Sequence, residues 1–320
     1  MSCSVATNDE RTGEGCCANC GAVPSAMVRL KNCNACLLVK YCGVDCQKVH
    51  RKQHKMACKL RAAELKDERL YNQGHERSED DFCPICSLPI PLPMARYSQY
   101  NACCMKRICR GCVMAAHRRG MLDCPFCRTS HAVKQKSGAD MLAMVQARAG
   151  KKDPVAIFAL GNSHQFGQFG LQKDARKAVE LWTEAAELGS IAALFELGYS
   201  YCHGRGVEVD MEKGIHFYEE AATQGQVESR YNLGCYEGKK GRHDRAVKHF
   251  LISAKLGDIN SVDTIKKMFM DGLATKAQYA QALREYQDAA EEMKSPQRDE
   301  ENAFMEAFMK NGHAMDGWFC

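Results

Sequence analysis

Nowhere in the 320 residues is there a run approaching the ~20 consecutive apolar positions that a bilayer-spanning helix needs. The opening segment, MSCSVATNDERTGEG, has no apolar core of the kind a secretory signal carries. A chain kept in a reducing compartment, cytoplasmic or nuclear, without a membrane partner, is therefore expected. Signatures of catalysis are also missing. The segment HRKQH, His50–His54, lacks the glutamate of HExxH, and neither a Walker A loop nor a GxSxG elbow occurs. Cysteine is scarce over the C-terminal part, where only Cys202, Cys235 and Cys320 follow position 128. The last of these stands at the end of the sequence and not four from it, so no prenylation is expected.

What is present is cysteine in the first part: 17 of the 20 fall before position 128, many as C-x-x-C pairs. In a reducing compartment such pairs are better explained as metal ligands than as disulfides. The length suggests two or three domains of roughly 100 to 200 residues each. A formal charge of +5 hints at an acidic partner, but a zinc ligand must be a thiolate. Adding eight positive charges for four zinc ions and fifteen negative ones for ligand thiolates turns that +5 into −2. Global basicity is thus no argument for nucleic acid.

The first cluster, residues 16–58, offers Cys17, Cys20, Cys33, Cys36, Cys42, Cys46, His54 and Cys58. Eight soft ligands make two tetrahedral zinc sites, and C-x-x-C presents two sulfurs from one tight turn. On a helix starting near Val44, Cys46, His50, His54 and Cys58 share one face. His50 is a ninth candidate, read as a packing or supporting residue because the other eight fill both sites, and Cys16 is read as a bystander. This order of pairs, with Tyr41-Cys42 and Cys46-Gln47, resembles the MYND-type zinc finger over residues 17–58. The resemblance implies interleaved sites, Cys17, Cys20, Cys42 and Cys46 on one ion and Cys33, Cys36, His54 and Cys58 on the other. It also implies docking of proline-containing peptides near Gln47, although Arg51 stands where the family places tryptophan. Arg29, Lys31, Lys40, Lys48, Arg51, Lys52, Lys55, Lys59 and Arg61 surround this cluster. Thiolate charge beneath them and the lack of interleaved aromatics other than Tyr41 argue against a nucleic-acid partner.

The second cluster, residues 82–130, offers Cys83, Cys86, Cys103, Cys104, Cys109, Cys112, Cys124 and Cys127. FCPIC, CCMKRICRGC and CPFCR resemble an all-cysteine RING-type finger. That resemblance implies Cys83, Cys86, Cys109 and Cys112 on one zinc, and Cys103, Cys104, Cys124 and Cys127 on the other. Neighbouring side chains such as Cys103 and Cys104 rarely converge on one ion, which leaves His117 or His131 as alternative ligands. The resemblance further implies recruitment of a ubiquitin-conjugating enzyme through Ile85, Pro125 and Arg128. Met114 and Met121 stand in the stretch where the family often has an aromatic anchor.

Between and around these clusters the sequence reads as a polar, disordered lead (1–15), a charged and helical linker (59–81) and a second linker (131–152). From 153 to 293 it reads as repeats. Leu160-Gly161 recurs as Leu197-Gly198 and Leu233-Gly234, each followed by an Ala-rich helix ending at Gly189, Gly225 or Gly257. The shorter final spacing places a deletion in the turn of the third unit. A degenerate fourth unit follows, in which Ile265-Lys266 replaces Leu-Gly, and such units suit the end of an array. The LGxxY, GxGV and AAxxG elements resemble Sel-like, tetratricopeptide-related repeats. Leu160, Leu181, Leu197, Phe217, Tyr218, Leu233, Phe250 and Trp182 are expected in the core, with Cys202 and Cys235 as buried small hydrophobes. Residues 294–320 read as a tail.

The fold class expected is mainly α: two zinc-stabilised cross-brace modules followed by a helical solenoid. Two functions compete. One is a zinc-binding scaffold whose repeats hold a client protein and whose fingers recruit partners. The other is a RING-type ubiquitin ligase whose repeats select the substrate and which needs no nucleophile of its own.

Overall fold

The computed structural model describes residues 15–129 and 137–310; most of the polar lead and His131 lie outside them. Among the described residues the chain is mainly helical, at 63% helix. It divides into two compact units, 1–72 and 73–320.

In the first unit, strands β1 (Lys31–Asn32) and β2 (Lys40–Tyr41) pair antiparallel, and Cys17 bridges to Lys40. Helix α1 (Val44–Asn72) follows, 29 residues without glycine or proline. Ala, Leu, Lys, Arg and Glu dominate its outer half and favour helix wherever packing does not decide. Arg61 pairs with Glu64 at 3.0 Å and Glu68 at 2.8 Å on its exposed surface. The stretch expected as a linker therefore continues the finger's own helix as far as Asn72.

The second unit opens with residues 73–81, in which Glu76, Glu79 and Asp80 are exposed as their charge suggests while Arg77 and Asp81 turn inward. The Arg77 side chain is only 6% exposed, pairs with Asp81 at 3.3 Å and donates to the Ile90 carbonyl at 2.6 Å. A short helix α2 (Met94–Tyr97) leads into strands β3 (Ser98–Asn101) and β4 (Lys106–Cys109), an antiparallel hairpin, and then into helix α3 (Arg110–Arg118). The second linker is likewise ordered where described. A capping box between Ser137 and Asp140 starts helix α4 (Gly138–Ala149), whose buried Val145 packs with Ala102, Met105 and Ala156.

Four helix pairs then stack in order: α5 (Pro154–Phe166) with α6 (Ala175–Glu187), α7 (Ile191–His203) with α8 (Met211–Thr223), α9 (Val227–Lys239) with α10 (His243–Lys255), and α11 (Ile259–Met270) with α12 (Lys276–Glu292). Side-chain caps start most of them: Asp153, Asp174, Ser190, Asp210, Gln226, Asp258 and Thr275 each accept a backbone N–H. The recurring Leu-Gly has a packing cause. A Cβ on Gly161, Gly198 or Gly234 would stand 2.6 Å from Trp182, 2.5 Å from Tyr218 or 2.6 Å from Phe250. Each glycine thus admits the aromatic ring of its partner helix onto bare backbone. In the last pair Lys266 replaces that glycine, and Tyr286 remains half-buried.

Trp182, Leu197, Tyr218, Leu233 and Phe250 are buried, as expected; Leu160, Leu181 and Phe217 are half-buried at the edges of the same clusters. Cys202 and Cys235 are also half-buried and not fully enclosed, although Cys202 Sγ lies against Gly214. The tail contains one more helix, α13 (Pro296–Lys310), which packs on α3 and buries Arg298 and Glu301.

Candidate metal centres

The sixteen expected ligand side chains gather into four groups, each with its ligand atoms within 4.8 Å of one another. These are Cys17, Cys20, Cys42 and Cys46; Cys33, Cys36, His54 and Cys58; Cys83, Cys86, Cys109 and Cys112; and Cys103, Cys104, Cys124 and Cys127.

Local backbone explains the convergence. In four C-x-x-C turns the amide after the second cysteine donates to the carbonyl of the first: Gly21 to Cys17 at 2.8 Å, Leu37 to Cys33 at 2.9 Å, Ser87 to Cys83 at 2.8 Å and Arg128 to Cys124 at 2.9 Å. All four donors have positive φ, at 72°, 57°, 57° and 57°. Three of them are not glycine, so each holds a left-handed conformation that its surroundings must enforce. The first three groups complete the set from a helix start or face: Cys42 and Cys46 about the N-terminus of α1, His54 and Cys58 along it, and Cys109 and Cys112 at the start of α3.

The adjacent pair Cys103-Cys104 works differently. Met105, with φ of 56°, donates its amide to Asn101 O at 2.8 Å, so Asn101 occupies the place of a first cysteine and Cys104 that of the second. Asn101 is buried and donates from Nδ2 to Lys106 O at 3.4 Å. This turn lets Cys104 Sγ approach Cys124 Sγ at 3.8 Å while Cys103 Sγ meets Cys127 Sγ at 3.4 Å. His117 is exposed on α3 and is not brought into the group. His131, the other alternative, lies outside the described residues.

The distances suit zinc. A tetrahedral ion with Zn–S bonds of about 2.3 Å sets sulfurs about 3.8 Å apart, far from the ~2.05 Å of a disulfide. Cys20–Cys42 is 3.6 Å, Cys33–Cys58 3.8 Å, Cys42–Cys46 3.5 Å and Cys86–Cys109 3.8 Å. The single nitrogen, His54 Nε2, lies 3.1 Å from Cys36 Sγ. Among the described residues no two cysteines form a disulfide.

Proton affinities within each group point the same way. Burial raises Cys17, but amide hydrogen bonds from Cys20, Cys42 and Asn19 outweigh it and bring the thiol to about 6. Its neighbour Cys42 is pushed up to about 12, chiefly by hydrogen bonding with Cys46. Cys33 shows the same balance: burial raises it, yet the Cys36 and Ala35 amides bring it to about 6, while burial and Cys33 push Cys58 to about 11. In the second module, hydrogen bonding with Cys109 and Cys112 lowers Cys83, and Cys109 raises Cys112. Burial raises Cys103, whereas Thr129 overcomes burial at Cys127 to bring it to about 6. One thiol of each set ionises readily and another retains its proton. Full ionisation of a set requires a cation among the sulfurs.

His50 supports its cluster in place of joining it. Its Nδ1 lies 3.0 Å from Tyr41 Oη, and its ring stacks on His54 with centroids 5.7 Å apart. Of the expected partner-binding residues, Gln47, Ile85 and Arg128 are exposed and Pro125 is half-buried; Leu122 and Phe126 add exposed apolar surface near the last pair. Sequence reasoning missed Asn101, Arg77 and Arg298, because an asparagine standing in for cysteine and two arginines distant from the cysteines carry no spacing signal.

Family models identify a MYND finger at residues 17–58 and Sel1 repeats at 154–190, 191–226 and 227–258. No curated protein matches the chain. Among solved structures, a Sel1 repeat protein from Oxalobacter formigenes is similar at 22% identity and a TM-score of 0.44, over 56% of this chain and 69% of that one. The protective antigen c5321 from uropathogenic Escherichia coli is similar at 21% identity and a TM-score of 0.43, over 56% of this chain and 36% of its own.

Proposed function

With a MYND finger at residues 17–58 and three Sel1 repeats at 154–258, we propose that this chain is a zinc-binding scaffold for protein partners, working in a reducing compartment of the cytoplasm or nucleus. Four zinc ions are held by the four ligand sets, the repeats hold a client protein, and the two cysteine-rich modules recruit further partners. The observation that carries this reading is closure: each set supplies four sulfur or nitrogen ligands. Catalytic zinc keeps a position open for water or substrate, whereas a full set of four protein ligands suits structure. The Sel1 repeats add the helical surfaces that such arrays use for binding.

A second reading has its own support. Ile85 is 42% exposed and Arg128 is exposed, so two of the residues through which a RING-type finger recruits a ubiquitin-conjugating enzyme are accessible. In that reading residues 82–130 are a RING-type module and the repeats choose the substrate.

Zinc per chain, measured on the purified protein, tests the first reading at its base, with about four ions expected. Incubation with ubiquitin, its activating enzyme and a panel of conjugating enzymes separates the two. Chains that vanish in an Ile85→Ala, Arg128→Ala variant establish the ligase, and four ions without chain formation leave the scaffold. A count near two would remove one module from both readings.

A further inference from the structure

Arg298 lies on α13, more than 200 residues from the second module's first cysteines, and is 5% exposed. Its guanidinium donates from Nη1 to Pro89 O and Met293 O, each at 2.6 Å. From Nη2 it donates to Leu88 O at 3.2 Å and to Cys86 Sγ at 3.4 Å. Arg77 secures the same loop through Ile90 O at 2.6 Å. The helix also reaches the other half of this ligand set. A Cβ on Gly111, between Arg110 and Cys112, would stand 2.8 Å from the backbone of Gln297 and Arg298, so α13 rests directly on bare backbone of α3.

We propose that Arg298 is a positioning residue for the metal held by Cys83, Cys86, Cys109 and Cys112, donating to the bound Cys86 thiolate and fixing the loop that carries it. This rests on the reading that the set binds zinc. Zinc with four thiolates carries two net negative charges, and a buried guanidinium offsets one of them while satisfying a sulfur lone pair. Arginine is suited to the task because its planar fork reaches three carbonyls and a sulfur at once, which a single ammonium does not. The last described helix thereby governs how long the module retains this ion and how nucleophilic Cys86 is.

The test uses the full chain as wild type, Arg298→Ala, Arg298→Lys, Cys86→Ser and Arg118→Ala. Arg118 on α3 pairs with Glu300 on α13 at the surface, so its removal loosens the same helix contact without touching a sulfur. Zinc per chain, zinc release to a chromogenic chelator and iodoacetamide labelling of each cysteine by mass spectrometry are measured together. In Arg298→Ala one ion is held about 10- to 100-fold more weakly, the range typical for residues that support metal ligands, and is released correspondingly faster. Cys86 labelling rises relative to Cys112, Arg298→Lys falls between, and Arg118→Ala matches wild type. Unchanged release in both Arg298 variants overturns the inference, as does equal acceleration of labelling at all four cysteines, which marks a general loosening. Where the alanine variant does not fold, the lysine variant carries the same comparison. If Cys86→Ser keeps the wild-type zinc count, the zinc reading of this set fails, whatever Arg298 does.

Discussion

The two cysteine-rich modules carry eight candidate ligands each and reach burial by opposite routes. In the first, the buried cluster is Cys17, Cys33, Cys36 and Tyr41, so three of its four members are ligand candidates. In the second, Cys83 and Cys109 share the cluster with Ile90, Ile108 and Val113, and the β3–β4 turn adds Ala102 and Met105 against α4 and α5. The number of cysteines therefore does not report how far a module depends on its metal. A module whose core is its ligands has little apolar area to fall back on, whereas one that leans on helices retains a packed surface when the ion leaves.

Chelation should expose this difference most strongly. Structural zinc contributes an apparent ~10–16 kcal/mol in small finger peptides, far more than the first module's apolar contacts can replace. Hydrogen exchange followed by mass spectrometry, with and without a strong chelator, should show residues 15–43 losing protection throughout. Residues 98–118 should lose it at the knuckles while β3, β4 and α3 keep a part. Equal loss in both modules would break the comparison.

The converse perturbation acts through the repeats. Trp182 is fully buried against Gly161, and its Nε1 donates to Asn162 Oδ1 at 3.1 Å. Replacing it by alanine should cost about 3–5 kcal/mol, the usual range for a buried aromatic residue. Because α5 carries Ala156, which packs with Met105, zinc release from the second module should quicken along with the loss of thermal stability, while that from the first stays at its wild-type rate. A smaller effect is expected for Gly111→Ala. Its Cβ would press on backbone, which cannot swing aside as a side chain can, and an overpacked contact typically costs about 1–3 kcal/mol. Thermal melting and zinc release read together should again place the damage in the second module alone.

Much of this was legible in the sequence, for a physical reason that also marks the limit. C-x-x-C spacing, the Leu-Gly period and the helix-ending glycines are local, and local pattern carries turn geometry and helix registry. The shortened third turn, three residues between α9 and α10 against seven between α7 and α8, follows from spacing alone. The side chains grouped in space are also those the resemblances pair, although spacing does not dictate the pairing. What the pattern missed was long-range. Residues 138–149 and 296–310 lack a distinctive period but become helices because each finds an apolar or glycine-lined surface on the second module. Arg77 and Arg298 read as surface charge until their carbonyl partners are seen, and Asn101 hides among polar residues until its turn shows it replacing a cysteine.

Acid offers the finest separation of the two regions, because it enters them through different groups. On the proposed reading protons compete with metal for thiolates in both modules, but the second unit has a further acid-sensitive residue in the repeats. His249 on α10 is fully buried, and burial, aided by Arg230 and Arg245, holds its imidazole down to about 3, well below its ordinary value. Between about 6.5 and about 3 the unfolded chain therefore takes up a proton that the folded chain refuses, so stability falls as pH falls through this window and is complete above it. One such proton changes stability by at most about 1.4 kcal/mol per pH unit, which gives about 1 kcal/mol between pH 6.5 and 5.5. Denaturant midpoints of wild type and His249→Gln over that range should converge as the pH is lowered, since glutamine has no proton to refuse. A constant gap between them would mean that the array accommodates a charged imidazole, and that acid acts on both regions through the thiolates alone.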